Sequence, residues 1–438
     1  MTIFGGGFRG APAFRHRNYR LFFGGQAISL VGTWMQQVAQ GWLVLQLTRD
    51  PLWLGLVAAA QFGPVIVFGL FGGLIADQLP KRQTLLVTQV VAMVLAFVLF
   101  GLTATGVVEV WHVLVLAVLL GLTNAIDMPT RQAFAVEMVG REDVTNAVGF
   151  NAALFNGSRI LGPAAAGLLI GAFDISVAFL VNGLSYIGAV AAYIAMRDAE
   201  LRPVPPIARA TDWHGVVENL AEGARYVRQT PLVLLSCVVV GLAATFGMNF
   251  QVLVPPLADD VLDVGASGFG FLMAASGVGS TLAALGVAFS RHVRARWIAI
   301  GAMALGLGGV ALAWSPTYEV ALIAMLFAGG GGIAMAVTAN TTIQTSVPDQ
   351  LRGRVMSVYT TVFAGSVPIG GLLAGFVASR WGVPVAFAAG GIVTLAVGVG
   401  AWFWVMRIRA AKRRVVTAPT PMAAGAAGES PIAVGRRR

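Results

Sequence analysis

The sequence predicts an all-α integral membrane protein with twelve transmembrane helices in two pseudo-symmetric six-helix bundles, and three observations predict it. Of 438 residues, 57% are hydrophobic and 11% charged, with a mean hydropathy of +0.79. Soluble domains carry about 25% charged residues. The apolar residues gather in about twelve stretches close to the roughly 20 residues that cross a hydrocarbon core. Segments of the second half also repeat segments of the first at a fixed distance. The alternating segments of about ten residues that a membrane barrel needs are absent.

Residues 1–18 are Gly-rich and basic and read as a cytoplasmic N-terminus without a cleavable signal, since the stretch that follows is long enough to anchor. The first span, 19–47, places Ser29, Thr33, Gln36, Gln37 and Gln40 within an arc of about 100°. Glutamines facing lipid are costly, so this stripe is expected to line a polar substrate cavity. Hydrogen bonding between helices, at about 0.6 kcal/mol each, is the other reading. The second span, 53–76, runs into GGLIADQLPKR, Gly72 to Arg82. Its glycines permit close helix approach, and Asp77, Lys81 and Arg82 are the charges of a tight cytoplasmic hinge.

The third span is 84–106 and the fourth 111–134, where Asn124, Asp127 and Arg131 share a face at spacings of three and four. Asp127 is the best proton-site candidate, with Asp77 and Glu137 as the other carboxylates near the membrane. Alternatively, Asp127 forms a fixed pair with Arg131 or Lys81 that closes a gate. In the fifth span, 145–171, Arg159 is the only Lys or Arg deep in a span, on a face shared with Asn151 and Ser158. An intramembrane charge is a functional candidate by default. It binds an anionic group, pairs with a carboxylate during a transport cycle, or sits in a permanent buried pair. Proline at 163, between Gly162 and Gly167, kinks this helix and the glycines let a neighbour approach. The sixth span, 177–196, ends a first bundle at 19–196.

Residues 197–230 turn polar at Pro203, Pro205 and Pro206, then show Trp213, Val216, Val217, Leu220, Ala224 and Val227 at helical spacing. This linker is expected to hold an amphipathic cytoplasmic helix on the membrane surface or against helix ends, or to be a plain connector. The second bundle, 231–407, comprises spans 231–256, 267–289, 297–314, 319–344, 355–378 and 383–406. Asn249, Gln251, Asn340 and Gln344 are its polar cavity candidates, with Phe246, Met248 and Phe250 suited to a greasy ligand. The run Gly329–Gly332 costs a helix about 1 kcal/mol per glycine and marks a flexible or closely packed point. No Gly-Lys-Ser/Thr follows it, so it is not a phosphate loop. The basic, then Pro- and Ala-rich, stretch 408–438 is expected to be a disordered cytoplasmic tail.

Net charge is +10, but its placement excludes a nucleic-acid footprint. Arg49 and Arg380 alone face outward if the N-terminus is cytoplasmic, a positive-inside pattern that implies both termini cytoplasmic and an even number of spans; the expected location is the plasma membrane (bacterial inner membrane). One cysteine, Cys237, allows no intramolecular disulfide, and the four histidines are scattered. No metal site, cofactor or catalytic triad is expected.

Gly162, Gly167, Val177, Ala178, Phe179 and Gly183 recur as Gly370, Gly375, Val385, Ala386, Phe387 and Gly391, a constant offset of 208. Parallel repeats of this kind build transporters whose halves rock about a central site.

The stretches VAQGWLVLQLT (38–48), FGGLIADQLPKRQ (71–83), NAIDMPTRQAF (124–134), MVGREDVTNA (138–147), RILGPAAAGLLI (159–170) and VPDQLRGRVMSVYT (347–360) carry a resemblance. Over nearly all of 15–407 the chain resembles major facilitator superfamily transporters, in the exporter branch that includes enterobactin and macrolide exporters. The resemblance implies export of an amphipathic or lipophilic small molecule, a siderophore, antibiotic or drug-like compound, by alternating access, with proton antiport as the driver. An importer of a small metabolite on the same fold is the alternative. It also implies a monomer without enzymatic activity whose partners are substrate, protons and lipid. Gly73, Asp77, Lys81 and Arg82, with Arg131, match the superfamily's gating motif, and Asp77 is expected to latch the start of the eleventh helix. Gln78 and Pro80 depart from that motif and remove one arm of its charge network. Val118 stands where proton-linked drug exporters carry an arginine, which counts against their usual coupling route.

Overall fold

A computed structural model describes residues 11–202, 213–290 and 294–417, with the backbone alone at 69–78, 213–214, 216–217, 409 and 411–417. The described residues form thirteen α-helices: α1 (Arg17–Thr48), α2 (Pro51–Gln78), α3 (Lys81–Ala104), α4 (Val110–Ala172), α5 (Ile175–Ala195), α6 (Trp213–Gln229), α7 (Pro231–Gly247), α8 (Phe250–Pro256), α9 (Gly265–Ala288), α10 (Arg296–Ala313), α11 (Tyr318–Ser346), α12 (Asp349–Trp381) and α13 (Val383–Thr417). Ten helical stretches are long and apolar enough to cross a membrane. Buried Gln26, Ser29, Gln36 and Gln40 make α1 too polar to count among them. With α1, and with α4 supplying two spans, the described residues hold the twelve that the composition predicts.

The two arms of α4, 110–139 and 141–172, meet at Gly140, whose φ of 76° and ψ of 173° lie outside the helical region. A side chain there would be strained and would collide with Glu142 and Arg202. Arg202 pairs with Glu142 and its amide donates to the Glu137 carbonyl at 2.9 Å. The turn is thus closed by the chain that leaves α5. At the opposite end, Asp174 caps α5 by accepting from the Ser176 amide at 2.8 Å, and these donors hold its carboxyl below the usual carboxylate range.

Two boundaries differ from expectation. The seventh span is not one helix over 231–256: it breaks at Met248 and Asn249, between α7 and α8. The Asn249 side-chain amide donates to the Thr245 carbonyl at 2.7 Å, filling the place of the lost backbone donor. At the C-terminus, α13 continues to Thr417, past residue 408 where composition predicts the start of a disordered tail. Alanine, arginine and lysine prolong a helix well. Residues 418–438 lie outside the described part.

Helices α1 to α5 pack on one another, as do α7 and α9 to α13. The linker helix α6 docks on α12, where Glu222 pairs with Arg354 and Gly223 lies against the Arg354 backbone. The halves touch along α2 with α12, and along the second arm of α4 with α9. A separate aromatic cluster, Tyr19, Phe22, Phe134 and Tyr193, seals the first half near its charged end.

Candidate polar pathway between the halves

One end of the bundle carries the start of α1, the ends of α5 and α13 and the linker, and is rich in Arg and Lys: this is the basic end. At the far end the halves are closely joined. Arg49 donates to Asp259 at 2.6 Å, Gln251 to Gln37 at 3.1 Å, and Ser267 Oγ to the Gly167 carbonyl at 2.9 Å. Trp42 stacks on Phe269 with centroids 6.1 Å apart. Gly55 lies so close to the Gly371 carbonyl that a Cβ would clash with it, and Gly375 packs against Pro51 and Leu52. Every hydrogen bond and ion pair between the halves among the described residues lies at this far end. From mid-bundle toward the basic end, Gly157 and Gly365 and then Gly149 and Gly353 face open space.

The polar stripe of α1 divides between two neighbourhoods rather than lining one cavity. Thr33 meets the Tyr186 hydroxyl at 3.3 Å, and Gln36 accepts from Asn182 at 2.5 Å, both on α5. Ser29 donates to Gln89 on α3 at 3.4 Å. An arc of about 100° is wide enough to meet two sets of neighbours. Gln37 and Gln40 instead join Gln61 of α2 and Gln251 of α8 around a cleft of about 30 Å³ at the junction of the halves. Neutral amides of this kind bond a polar group of either hydrogen-bonding sense.

Asp127 is 2% exposed. It accepts from Thr88 at 2.7 Å, from Gln89 at 3.0 Å and from Arg131, which also donates to Gln26. Gln26 in turn donates to the Tyr193 hydroxyl at 3.3 Å. This network ties α1, α3, the first arm of α4 and α5 together inside the first half. A buried carboxylate held this way meets the rule that buried charges are paired and hydrogen-bonded.

Arg159 has a different setting. Its guanidinium lies 5.4 Å from the Trp34 ring centroid, and Trp34 packs edge-on against Phe155. Among the described residues it has no ion pair or hydrogen bond. Its own carbonyl touches Gly277 of α9, so it stands where the two halves begin to separate. Of the kink residues, Gly162 packs against Trp34 and Met35 of α1, Gly167 against Ser267 and Gly270 of α9, and the Pro163 carbonyl against Gly270.

The remaining candidates are held by local partners. Asn151 accepts from the Tyr19 hydroxyl at 3.1 Å, Asn249 spans the break in the seventh helix, and Asn340 accepts from Gln344 one turn on. In the hinge, Lys81 pairs with Glu137 at 2.8 Å. Arg82 grips the end of α5, donating to the carbonyls of Tyr193 at 2.8 Å and Ile194 at 3.0 Å and to Asp198 at 2.7 Å. A cation there complements the free carbonyls of a helix C-terminus. Gly73 and Asp77 lie on α2 where only the backbone is described.

Gln26, Gln61, Gln89 and Asn182 belong to these networks without standing out in the sequence pattern. Gln61, Gln89 and Asn182 are each a single amide in an apolar span, and Gln26 precedes the α1 stripe by three residues; the signal that finds them is their cost in lipid.

The sequence profile of transmembrane secretion effectors matches residues 10–425. The chain is 30% identical over 376 residues to the multidrug efflux pump Tap of Mycolicibacterium fortuitum, covering 84% of this chain and 90% of that one. It is 23% identical over 394 residues to the staphyloferrin A transporter of Staphylococcus aureus, covering 88% and 95%. Among solved structures, a point mutant of the nucleoside transporter NupG superposes with a TM-score of 0.73 at 11% identity, over 88% of this chain and 98% of that one.

Proposed function

We propose that this chain, which belongs to the transmembrane secretion effector family of the major facilitator superfamily, exports an amphipathic small molecule by alternating access. It is a multi-pass membrane transporter and not an enzyme. The observation that carries the mechanism is the asymmetry of the hydrogen bonds and ion pairs between the halves, which, among the described residues, lie at the far end. By the positive-inside rule the basic end is cytoplasmic, so the state is inward-facing, with the outer gate shut. The rocking units are 19–196 and 231–407, joined by the linker 197–230.

The cargo enters from the cytoplasm and meets the Gln37, Gln40, Gln61 and Gln251 amides at the closed junction, with Arg159 on Trp34 below it. A cation without a carboxylate partner favours cargo bearing an anionic group, and the aromatic rings favour an apolar body. Siderophores and drug-like compounds fit that description: a relative named as a staphyloferrin A transporter supports such a cargo, and one named as a multidrug efflux pump supports export. In the outward-facing state Asp77 meets the amides at the start of α12, the latch that the hinge motif implies. Protons drive the cycle, with Asp127 as the carboxylate whose pairing with Arg131 exchanges for a proton.

The test is accumulation of a panel of dyes, antibiotics and siderophores in intact cells expressing the protein, with and without a protonophore. Lower accumulation of one compound, abolished by the protonophore, is the expected result. Lower accumulation that survives the protonophore overturns the proton drive alone. Raised accumulation overturns export in favour of uptake.

A further inference from the structure

The second half holds an apolar groove that transport through the centre does not use. Helices α9 and α10 both pack on α11 and leave between them a cavity of about 370 Å³, within the range of about 300–1,000 Å³ typical of ligand sites. The glycine run of α11 makes this possible. Gly279 of α9 lies against Leu326 and Gly330, and Gly301 of α10 against Gly331 and Met335. Two helices therefore approach one, and the slot between them stays open. Leu282 and Phe327, 58% and 60% exposed, flank it on the outer surface of the half, which faces lipid in a twelve-span bundle.

The slot is graded along its length. Its deep part, toward mid-membrane, is walled by Ala304, Leu326 and Phe327. Toward the basic end the wall includes Thr338 and Trp297. Thr338 is fully buried, yet its hydroxyl has no hydrogen-bond partner, and the same holds for Nε of Arg296. The Arg296 guanidinium sits 5.8 Å from the Trp297 ring centroid, at the headgroup level of α10. A buried donor left unmade costs roughly 1–3 kcal/mol, so the Thr338 hydroxyl in the groove wall calls for an acceptor, and Arg296 stands beside the lining residue Trp297.

We infer that this groove binds one anionic phospholipid from the leaflet at the basic end. An acyl chain fills the apolar depth, the Thr338 hydroxyl donates to an ester carbonyl, and Arg296 meets the phosphate. A basic residue at the mouth of an apolar crevice between spanning helices, on the positive side of a membrane, is the arrangement that holds such headgroups.

The experiment uses the full chain purified in detergent, with phosphatidylglycerol or phosphatidylcholine of identical acyl chains added, read by native mass spectrometry and by thermal midpoint. The wild type retains one phosphatidylglycerol about fivefold better than phosphatidylcholine, the increment of one basic residue at an anionic surface. Arg296→Gln abolishes that preference and leaves the groove's shape intact. Gly286→Leu loses both lipids, because a side chain at this groove-lining glycine enters open space and collides with nothing in the protein. Retention of phosphatidylglycerol by both variants at the wild-type level overturns the assignment, as does equal binding of the two lipids to the wild type. Occupancy of the groove by a lipophilic export substrate in place of phospholipid overturns it too, and makes the slot a side entrance.

Discussion

Arg159 and Asp127 are both charges within the spans of the first half, and their surroundings assign them opposite tasks. Asp127 has three kinds of donor, and its strongest partner, Arg131, is one turn away. Removing one member of such a pair strands the other, which costs about 3–5 kcal/mol. Asp127→Ala is therefore expected to lower the thermal midpoint of the purified protein sharply, and Asp127→Ala with Arg131→Leu to recover most of the loss. Arg159 has only the Trp34 ring. Arg159→Gln is expected to leave the thermal midpoint nearly unchanged while reducing transport of an anionic cargo into inverted vesicles about tenfold or more, the value of one charge-assisted hydrogen bond. Equal losses for neutral and anionic cargo would remove the anion-binding role. Both residues are visible in the sequence, because a charge in an apolar run is conspicuous. Their division of labour is not, because the partners Thr88, Gln89 and Trp34 sit on other helices.

At the scale of the element, the informative places are interruptions. Asn249 replaces a backbone donor at the break between α7 and α8, so Asn249→Leu leaves the Thr245 carbonyl without it. A loss of about 1–3 kcal/mol is expected, measured by thermal unfolding, with Asn249→Ser, whose hydroxyl still donates to a carbonyl one turn back, as the milder control. Gly140→Ala forces a Cβ into a left-handed turn against Glu142 and Arg202. That costs roughly 1–3 kcal/mol and is expected to reduce folded yield by size-exclusion profile. The twelve spans are legible in the chain because apolar length is a property of one segment alone. The break at Met248 is not, since nothing in 231–256 stops a helix before Pro255, and the interruption depends on the packing of Gly247 against Thr394 and Leu305. The α1 stripe is legible as polar but not as divided, because its division reflects the positions of α5, α2 and α8.

For the whole molecule, the repeat predicts two moving bodies, and the structure joins the two halves closely where α2 meets α12. Ala58 Cβ lies 3.6 Å from the Cβ position at residue 371, inside the range of about 3.5–4.5 Å that a disulfide spans. Because Cys237 is the sole native cysteine, Ala58→Cys with Gly371→Cys in a Cys237→Ser background isolates this contact. Oxidation is expected to cross-link the halves and stop transport, and a reductant to restore it. Cross-linking without inhibition would mean that α2 and α12 do not part here during the cycle. The ion pairs described at the basic end lie within one half or between α6 and α12, whereas Arg49 with Asp259 joins the halves at the far end, with Arg49 largely exposed. Exposed pairs contribute about 0–1 kcal/mol and weaken with salt. Raising ionic strength in the outside medium is thus expected to loosen the closure at the far end by up to about fivefold, which makes this junction responsive to the salinity outside.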